Sequence, residues 1–398
     1  MTHAQNTAPT TRPSRKPASA KERMDTGSDS QELKEIPPEA VTIAIFCALS
    51  YEAAAVRYTL DEEFECHFQS IGPKRYPYSF GRLRDHIVVI ARPHRMGTVK
   101  AGQCAATVCQ QFPNIQFALM VGVGSGIPDP SRRDLRLGDV AVSIPGGNHP
   151  GVVEYDFGKY EHDRFILGGN LDKPPGILIS ADGIMQEDEI MDKRRLEKVL
   201  RGITKKPGFA RPDVDDILYD KNFHHINKGS DCSGCEVADR RKIVSRAPRP
   251  HANPVVHRGL ILSGNSVIEN PEDRDRLRRG YEDAICYELG AAGIMDEIPC
   301  LVVRGISDYA DTHKQDTWHH YAAAVAAAYC KVLLRKVDGP DVRGISNIYD
   351  SQLLAQLLSF NTATGDRGSE AKLLPNLARQ LGFDMPQLLP ESRGLSRP

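Results

Sequence analysis

Six short apolar runs, each followed by a turn or an amphipathic stretch, limit this chain's fold more tightly than any other feature. They are Val41-Thr-Ile-Ala-Ile-Phe-Cys-Ala48, His86-Ile-Val-Val-Ile-Ala91, Phe117-Ala-Leu-Met-Val-Gly122, Val140-Ala-Val-Ser143, Gly259-Leu-Ile-Leu-Ser263 and Cys300-Leu-Val-Val-Arg304. The third is apolar at nearly every position, the pattern of a strand buried on both faces. Between the runs lie helical periodicities over Tyr51 to Leu60, Lys100 to Phe112 and Trp318 to Lys336. The last carries a small-residue face, Ala322 to Ala328, suited to close packing. Strands alternating with helices predict an α/β fold with a largely parallel or mixed central sheet. No repeat period is visible.

Composition then divides the chain. Of 398 residues only 40% are hydrophobic, so part of the chain lies outside the core. Residues 1–40 are nearly free of Val, Ile, Leu and Phe and cannot bury enough apolar surface to offset their ordering entropy. Arg12, Arg15 and Lys16 sit among prolines with no amphipathic face, so a solvated tail is expected rather than a transit peptide. The run Val337-Asp-Gly-Pro-Asp341 reads as a helix stop. Residues 338–398 follow as a tail with two short periodic stretches, Asp350 to Phe360 and Glu370 to Leu381, partly helical or disordered. The folded domain is expected over 41–337, with a charged, Pro-rich, strand-poor insertion at about 186–254. With 51 Lys+Arg against 52 Asp+Glu, the net charge of −1 argues against nucleic acid or an anionic membrane as partner. Apolar stretches are too short to span a bilayer. Nine cysteines without a signal-peptide pattern point to a reducing, cytoplasmic setting and mostly reduced thiols.

Three acids at strand ends suggest a cleft. Asp308 follows the strand Cys300 to Arg304 in Gly305-Ile-Ser-Asp308, placed as a general acid or as a cap of the next turn. Glu52 follows the opening strand in Ala48-Leu-Ser-Tyr-Glu52. Glu288 enters a small-residue helix in Cys286-Tyr-Glu-Leu-Gly-Ala-Ala-Gly293. The third strand ends in Val121-Gly-Val-Gly-Ser-Gly126, read as a turn whose glycines permit close approach or positive φ. No helix-opening third glycine follows, so it is not a dinucleotide fingerprint.

In this order, Ala48-Leu-x-x-Glu52, Val121-Gly-x-Gly-x-Gly-Ile-Pro128, Leu137-Gly-Asp-Val-Ala-Val-Ser143, Gly259-Leu-Ile-Leu-Ser-Gly-Asn265, Glu288-x-x-Ala-Ala-Gly293 and Arg304-Gly-Ile-Ser-Asp308 resemble the purine and uridine phosphorylase family. That family includes the methylthioadenosine/S-adenosylhomocysteine nucleosidases. The resemblance covers about residues 41–337. Val153-Glu-Tyr-Asp-Phe-Gly-Lys159 and Asp308-Tyr-Ala-Asp-Thr-His-Lys314 resemble its fungal branch in particular. It implies a three-layer α/β/α sandwich with a mixed central sheet, cleaving the N-glycosidic bond of a purine or thioadenosine-type nucleoside by hydrolysis or phosphorolysis. Asp308 would protonate the purine N7, oriented by Ser307, and Glu52 would activate water. Gly124 and Ser125 would line the ribose, water or phosphate side, Val267 and Ile268 would flank the base, and Glu288 would bind substrate. No organic cofactor is implied, phosphate being the one possible co-substrate, and a homo-oligomer is expected.

The sequence departs from the family in places. The family's helix motif reads Glu-Met-Glu, whose second Glu grips the ribose hydroxyls; here it is Glu288-Leu289-Gly290. The loss should cost at least a few kcal/mol of binding or transition-state stabilisation. Gly290→Glu is expected to raise activity on ribosides if this is the defect, and the alternative to an enzyme is a catalytically impaired nucleoside-sensing or interaction module. The arginine that holds phosphate in bacterial-type phosphorylases is replaced by Met120 or Val121. Arg92 and Arg95 could supply that charge, or could belong to a solvated loop. Cys232-Ser-Gly-Cys235 suits two zinc ligands, with His224, His225, His251 and His257 within reach in sequence. No second Cys-x-x-Cys follows and the His spacing fits no standard finger, so reduced thiols and no metal are expected.

Overall fold

A computed structural model describes residues 33–68, 75–162, 164–169, 171–227, 231–314 and 316–339. Most of the expected N-terminal tail, and the periodic stretches expected after residue 338, lie outside the described residues. Fourteen strands and eight α-helices are formed by the residues described. The first half of the chain holds β1 (Lys34–Ile36), β2 (Ile43–Phe46), α1 (Ser50–Arg57), β3 (Glu62–Cys66), β4 (Tyr78–Leu83), β5 (His86–Ala91), α2 (Thr98–Gln111) and β6 (Phe117–Gly126). Then come β7 (Val140–Ser143), β8 (Val152–Glu154), the hairpin pair β9 (Gly158–Glu161) and β10 (Arg164–Leu167), α3 (Gly176–Ile190), α4 (Arg195–Ile203) and α5 (Ser233–Ala238). The rest is β11 (Val256–Gly259), β12 (Ile261–Gly264), α6 (Pro271–Leu277), β13 (Cys286–Leu289), α7 (Ala291–Met295), β14 (Cys300–Asp308) and α8 (His319–Leu334).

Twelve strands make one mixed sheet, with helices on both faces. Alternation along the central strands builds the three layers, because successive side chains leave a strand on opposite sides. Ile43, Ile45, Leu119, Val121 and Val303 pack with residues of α3, α4 and α8, while Ala44, Phe46, Ala118, Met120 and Val302 pack with α2 and α7. Gly305 lets α8 seat on the sheet, since a Cβ there would lie 1.9 Å from the Ala322 carbonyl oxygen.

Part of the stretch expected as tail is structured: β1 pairs in parallel with β3, and Pro38–Ala40 form a 3-10 turn. The run expected as one strand from Gly259 to Ser263 is two, β11 beside β7 and β12 between β13 and β8, so the chain changes neighbours at Leu260. Within 186–254 lie the end of α3, then α4 and α5. Arg249 binds this stretch to the sheet through Asp139, with Nη1–Oδ1 at 2.7 Å.

The decisive element is β6. One edge is paired with β14 along most of its length. Its other edge pairs with β2 only over Phe117–Met120, and with β13 only at Ser125 and Gly126. Residues 121–124 are therefore left without a strand on that side, in mid-sheet.

Candidate active site

That gap is where the acids meet. Glu52, in the first turn of α1, spans it: Oε1 accepts from the Val123 N–H at 2.8 Å and Oε2 from the Leu49 N–H at 2.7 Å. Burial raises the pKa of this carboxyl, and the Arg304 guanidinium together with the two N–H donors pulls it part of the way back. Arg304 closes the gap from the other side. Its Nη1 reaches the Val123 carbonyl at 3.4 Å and its Nη2 donates to Glu288 Oε2. Glu52, Glu288 and Arg304 are all buried.

The glycines of β6 make this crowding possible. A Cβ on Gly122 would lie 2.3 Å from Glu52 Oε1 and 2.6 Å from Arg304 Nη1, and one on Gly124 would lie 2.6 Å from Cys286 Sγ. Both positions are inside the strand with ordinary negative φ, so the expected glycine turn is instead a glycine stripe that admits side chains.

Asp308 ends β14. A register irregularity between Ile306 and Asp308 interrupts the strand's alternation, and Ser307 and Asp308 both line the cavity. The Ser307 hydroxyl donates to Asp308 Oδ2 at 2.9 Å and has the Gly124 carbonyl as a second acceptor at 3.4 Å. Asp308 Oδ1 accepts from the Ala310 N–H at 2.9 Å, and Ala310 holds a positive φ of 52°. Behind the acid, Tyr309 is clamped by the 186–254 stretch: its hydroxyl donates to Asp216 Oδ1 at 2.6 Å and accepts from Arg246 Nη1 at 2.9 Å.

An open cavity lies over these groups. Glu52, Gly124, Ser125, Val267, Ile268, Glu288, Ser307 and Asp308, all singled out from sequence, line it. Arg92 and Arg95 do not. The turn into α2 brings Met96 to the wall instead, and Arg95 points to solvent. Glu288 lines the cavity with its carboxylate already engaged by Arg304 and by the Ala291 N–H at 3.0 Å.

The stretch expected as a helix around Glu288 is a strand, β13, followed by the short α7. Gly290 sits between them at φ 118°, a conformation that L side chains rarely adopt. A Cβ there would meet Ala101, Met120 and the Gly97 carbonyl, none of which lines the cavity. A glutamate at 290 is therefore strained and starts out away from the site, contrary to the simple expectation that Gly290→Glu restores a ribose grip.

Sequence reasoning assigned no role to Arg304, Tyr51, Lys314 or His319, which also line the cavity. Arg304 had a signal: an arginine inside an apolar strand run must find a buried acid. Its Nε is buried without a partner among the described residues, as is the Tyr51 hydroxyl. Lys314 Nζ stands 3.8 Å from Asp308 Oδ2. Burial lowers the pKa of His319, whose ring stacks on Tyr51. The Cys232 and Cys235 thiols are brought near His225, whereas His257 is bound to Asp139 at 2.8 Å and His224 lies 3.5 Å from Glu272. No two cysteines are joined by a disulfide among the described residues.

Among known proteins, a nucleotide-binding leucine-rich repeat (NLR)-like protein of Hyaloscypha variabilis is 37% identical over 304 residues, covering 75% of this chain. The chain spans only 30% of that relative's length. A 5′-methylthioadenosine/S-adenosylhomocysteine nucleosidase of Mycobacterium bovis is 25% identical over 302 residues, 74% of this chain and 96% of that protein. The crystal structure of such a nucleosidase from Neisseria meningitidis, in complex with methylthio-immucillin-A, aligns with 17% identity and a TM-score of 0.46 over 74% of this chain and 98% of that one. Residues 42–336 match the phosphorylase superfamily as a whole, which takes in the gap in β6, the glycine stripe and all three acids, and the chain belongs to that superfamily.

Proposed function

We propose that this domain hydrolyses the N-glycosidic bond of a purine nucleoside or a thioadenosine relative. One observation carries the reading: two buried carboxyl groups, Glu52 and Asp308, wall the same cavity. Glycosidic cleavage at a ribosyl centre builds positive charge on the sugar and negative charge on the leaving base. A base that activates water on one side and an acid that protonates the purine on the other answer both. The Mycobacterium bovis relative's name, a nucleosidase, agrees with this chemistry.

Glu52 is held by backbone N–H groups on both oxygens, which fixes the carboxylate and leaves lone pairs for a water. Burial raises its pKa, making it a stronger base than a solvated glutamate. Ser307 is the orienting group for the acid. Its hydroxyl donates to Asp308 Oδ2, which fixes the carboxyl against the cavity wall and leaves the acid proton free to pass to the purine. Val267 and Ile268 supply the apolar wall against which a purine would stack.

Hydrolysis is preferred over phosphorolysis on charge. The two cationic side chains of the lining already face acids, Arg304 engaged by Glu288 and Lys314 Nζ 3.8 Å from Asp308 Oδ2, so neither is free to hold phosphate. A phosphate dianion is disfavoured in such a site, whereas an oxocarbenium-like sugar is favoured. The second reading, a nucleoside-sensing or interaction module, rests on the ribose side: Glu288 is already engaged by Arg304, and position 290 directs no side chain into the cavity. The test is release of free base from adenosine, inosine, methylthioadenosine and their 2′-deoxy forms, with and without phosphate. Release without phosphate is expected; release only with phosphate overturns hydrolysis, and no release with any substrate favours the sensor.

A further inference from the structure

We propose that His225, Cys232 and Cys235 form a zinc site within the 186–254 stretch, beside the loop that follows the catalytic-side strand β14. One ring nitrogen of His225 and the two sulfur atoms all lie within 4.8 Å of one another. In a tetrahedral site with Zn–S bonds of about 2.3 Å, two thiolates stand about 3.8 Å apart, so the observed cluster needs only a small closure to take the ion. The donor set suits the metal: two soft sulfurs and an imidazole favour Zn²⁺ over Mg²⁺ or Ca²⁺, and three protein ligands leave a fourth position for water.

A second observation points to a ligand independently of the spacing. Nε2 of His225 is buried with no hydrogen-bond partner among the described residues, an arrangement that a polar atom adopts at a cost unless something binds it. Nδ1 of the same ring accepts from the Asn227 N–H at 3.2 Å. Loading Nε2 moves the ring proton to Nδ1, so this long contact opens as the metal enters. Cys235 is buried and Cys232 half-buried at the start of α5. Both thiols give up their protons to solvent as the two Zn–S bonds form, and the bound unit is a thiolate pair with a neutral imidazole.

The site has an address in the fold. The His225 N–H donates to Thr312 Oγ1 at 2.9 Å, a link that metal binding keeps, whereas the Cys232 thiol's contact with the His313 carbonyl at 3.8 Å is given up as the thiolate forms. A cavity joins the two regions, with Cys232 and Tyr219 on one wall and Ser307, Asp308 and Asp311 on the other. A metal here therefore lies beside the loop behind the acid without entering the nucleoside cavity, and the inference stands whether or not base release is found.

The experiment is metal analysis of the full chain, purified under reducing conditions from zinc-supplemented medium and dialysed against metal-free buffer. About one zinc per chain is expected to survive dialysis, and Co²⁺ in its place should show thiolate-to-metal charge transfer and tetrahedral d–d bands. Cys232→Ser/Cys235→Ser should lose the metal and the charge-transfer band. His225→Ala should weaken binding by at least about tenfold, while His225→Cys, which keeps a ligand, should retain the metal with shifted Co²⁺ bands. Adding a chelator should lower the melting temperature of the parent chain but not that of the double variant. A parent chain that takes up neither zinc nor cobalt, or that carries a Cys232–Cys235 disulfide by mass, overturns the proposal. So does a double variant that stays folded by circular dichroism and binds as much zinc as the parent.

Discussion

Asp308 and Glu52 divide the chemistry between them, and each has its own signature. Asp308→Asn should lower base release by at least about 100-fold while unfolding stays cooperative, and unchanged turnover in that variant would refute the assigned acid. For Glu52 the signature is in pH. Burial holds its folded pKa above the ordinary glutamate value, and the active form is the ionised one. The acid limb of kcat/KM should therefore lie above the usual glutamate range, and a limb below it contradicts Glu52 as the base. Linkage gives the matching stability effect. The folded chain keeps the Glu52 proton to higher pH than the unfolded chain does. This group's contribution to stability is thus fully present below the unfolded value and is lost as pH rises through the folded one. Glu52→Gln should flatten that part of the stability profile in a denaturant titration. At Gly290 the issue is the backbone: Gly290→Ala should cost about 1–3 kcal/mol through its positive φ, measurable by urea unfolding.

Among the elements, β14 and its neighbours carry most of the risk. Gly305→Ala drives a methyl into the Ala322 carbonyl, backbone against backbone, and should cost about 3 kcal/mol or prevent folding, seen as a fall in melting temperature. The clamp on Tyr309 is less rigid. Arg246→Ala leaves the largely buried Asp216 without its charge partner, held by the Tyr309 hydroxyl, and should destabilise by about 3 kcal/mol, with kcat falling more than KM rises because the loop behind the acid loosens. These elements were legible from sequence to different degrees. Strands buried on both faces announce themselves, so Val41 to Ala48 and Phe117 to Gly122 could be read directly, with Asp308 at a strand end as acid or cap, whereas a role for Ser307 came only through the family resemblance. The segment Cys286 to Gly293 could not. Its alanines and glycines look helical locally, whereas Cys286 to Leu289 are held as a strand by β12 and β6, partners distant in sequence. Arg304 escaped for the same reason, since its meaning depends on Glu288 across the sheet.

For the molecule as a whole, the superfamily match and the described sheet coincide: 42–336 in one, with β1 adding an edge strand just before it in the other. The gap in β6 could not be foreseen from any run of residues, because it is defined by where β2 stops and β13 begins against a third strand. Charge acts at this scale too. With 51 basic and 52 acidic residues, colloidal repulsion is weakest near neutrality, so solubility should be lowest around pH 7 and rise on either side in a precipitation assay.

The irregular step between Ile306 and Asp308 has one more consequence. It means that the pairing of hydroxyl and acid is stored in a residue count rather than in a residue type. The extra position is Ser307 itself, so deleting it would restore regular pairing of the strand with β6 and leave the core intact, yet Asp308 would lose its orienting hydroxyl. No point substitution could repair that; only restoring the length would. Comparisons across the superfamily should therefore weigh a gap at this step above an exchange elsewhere in the strand.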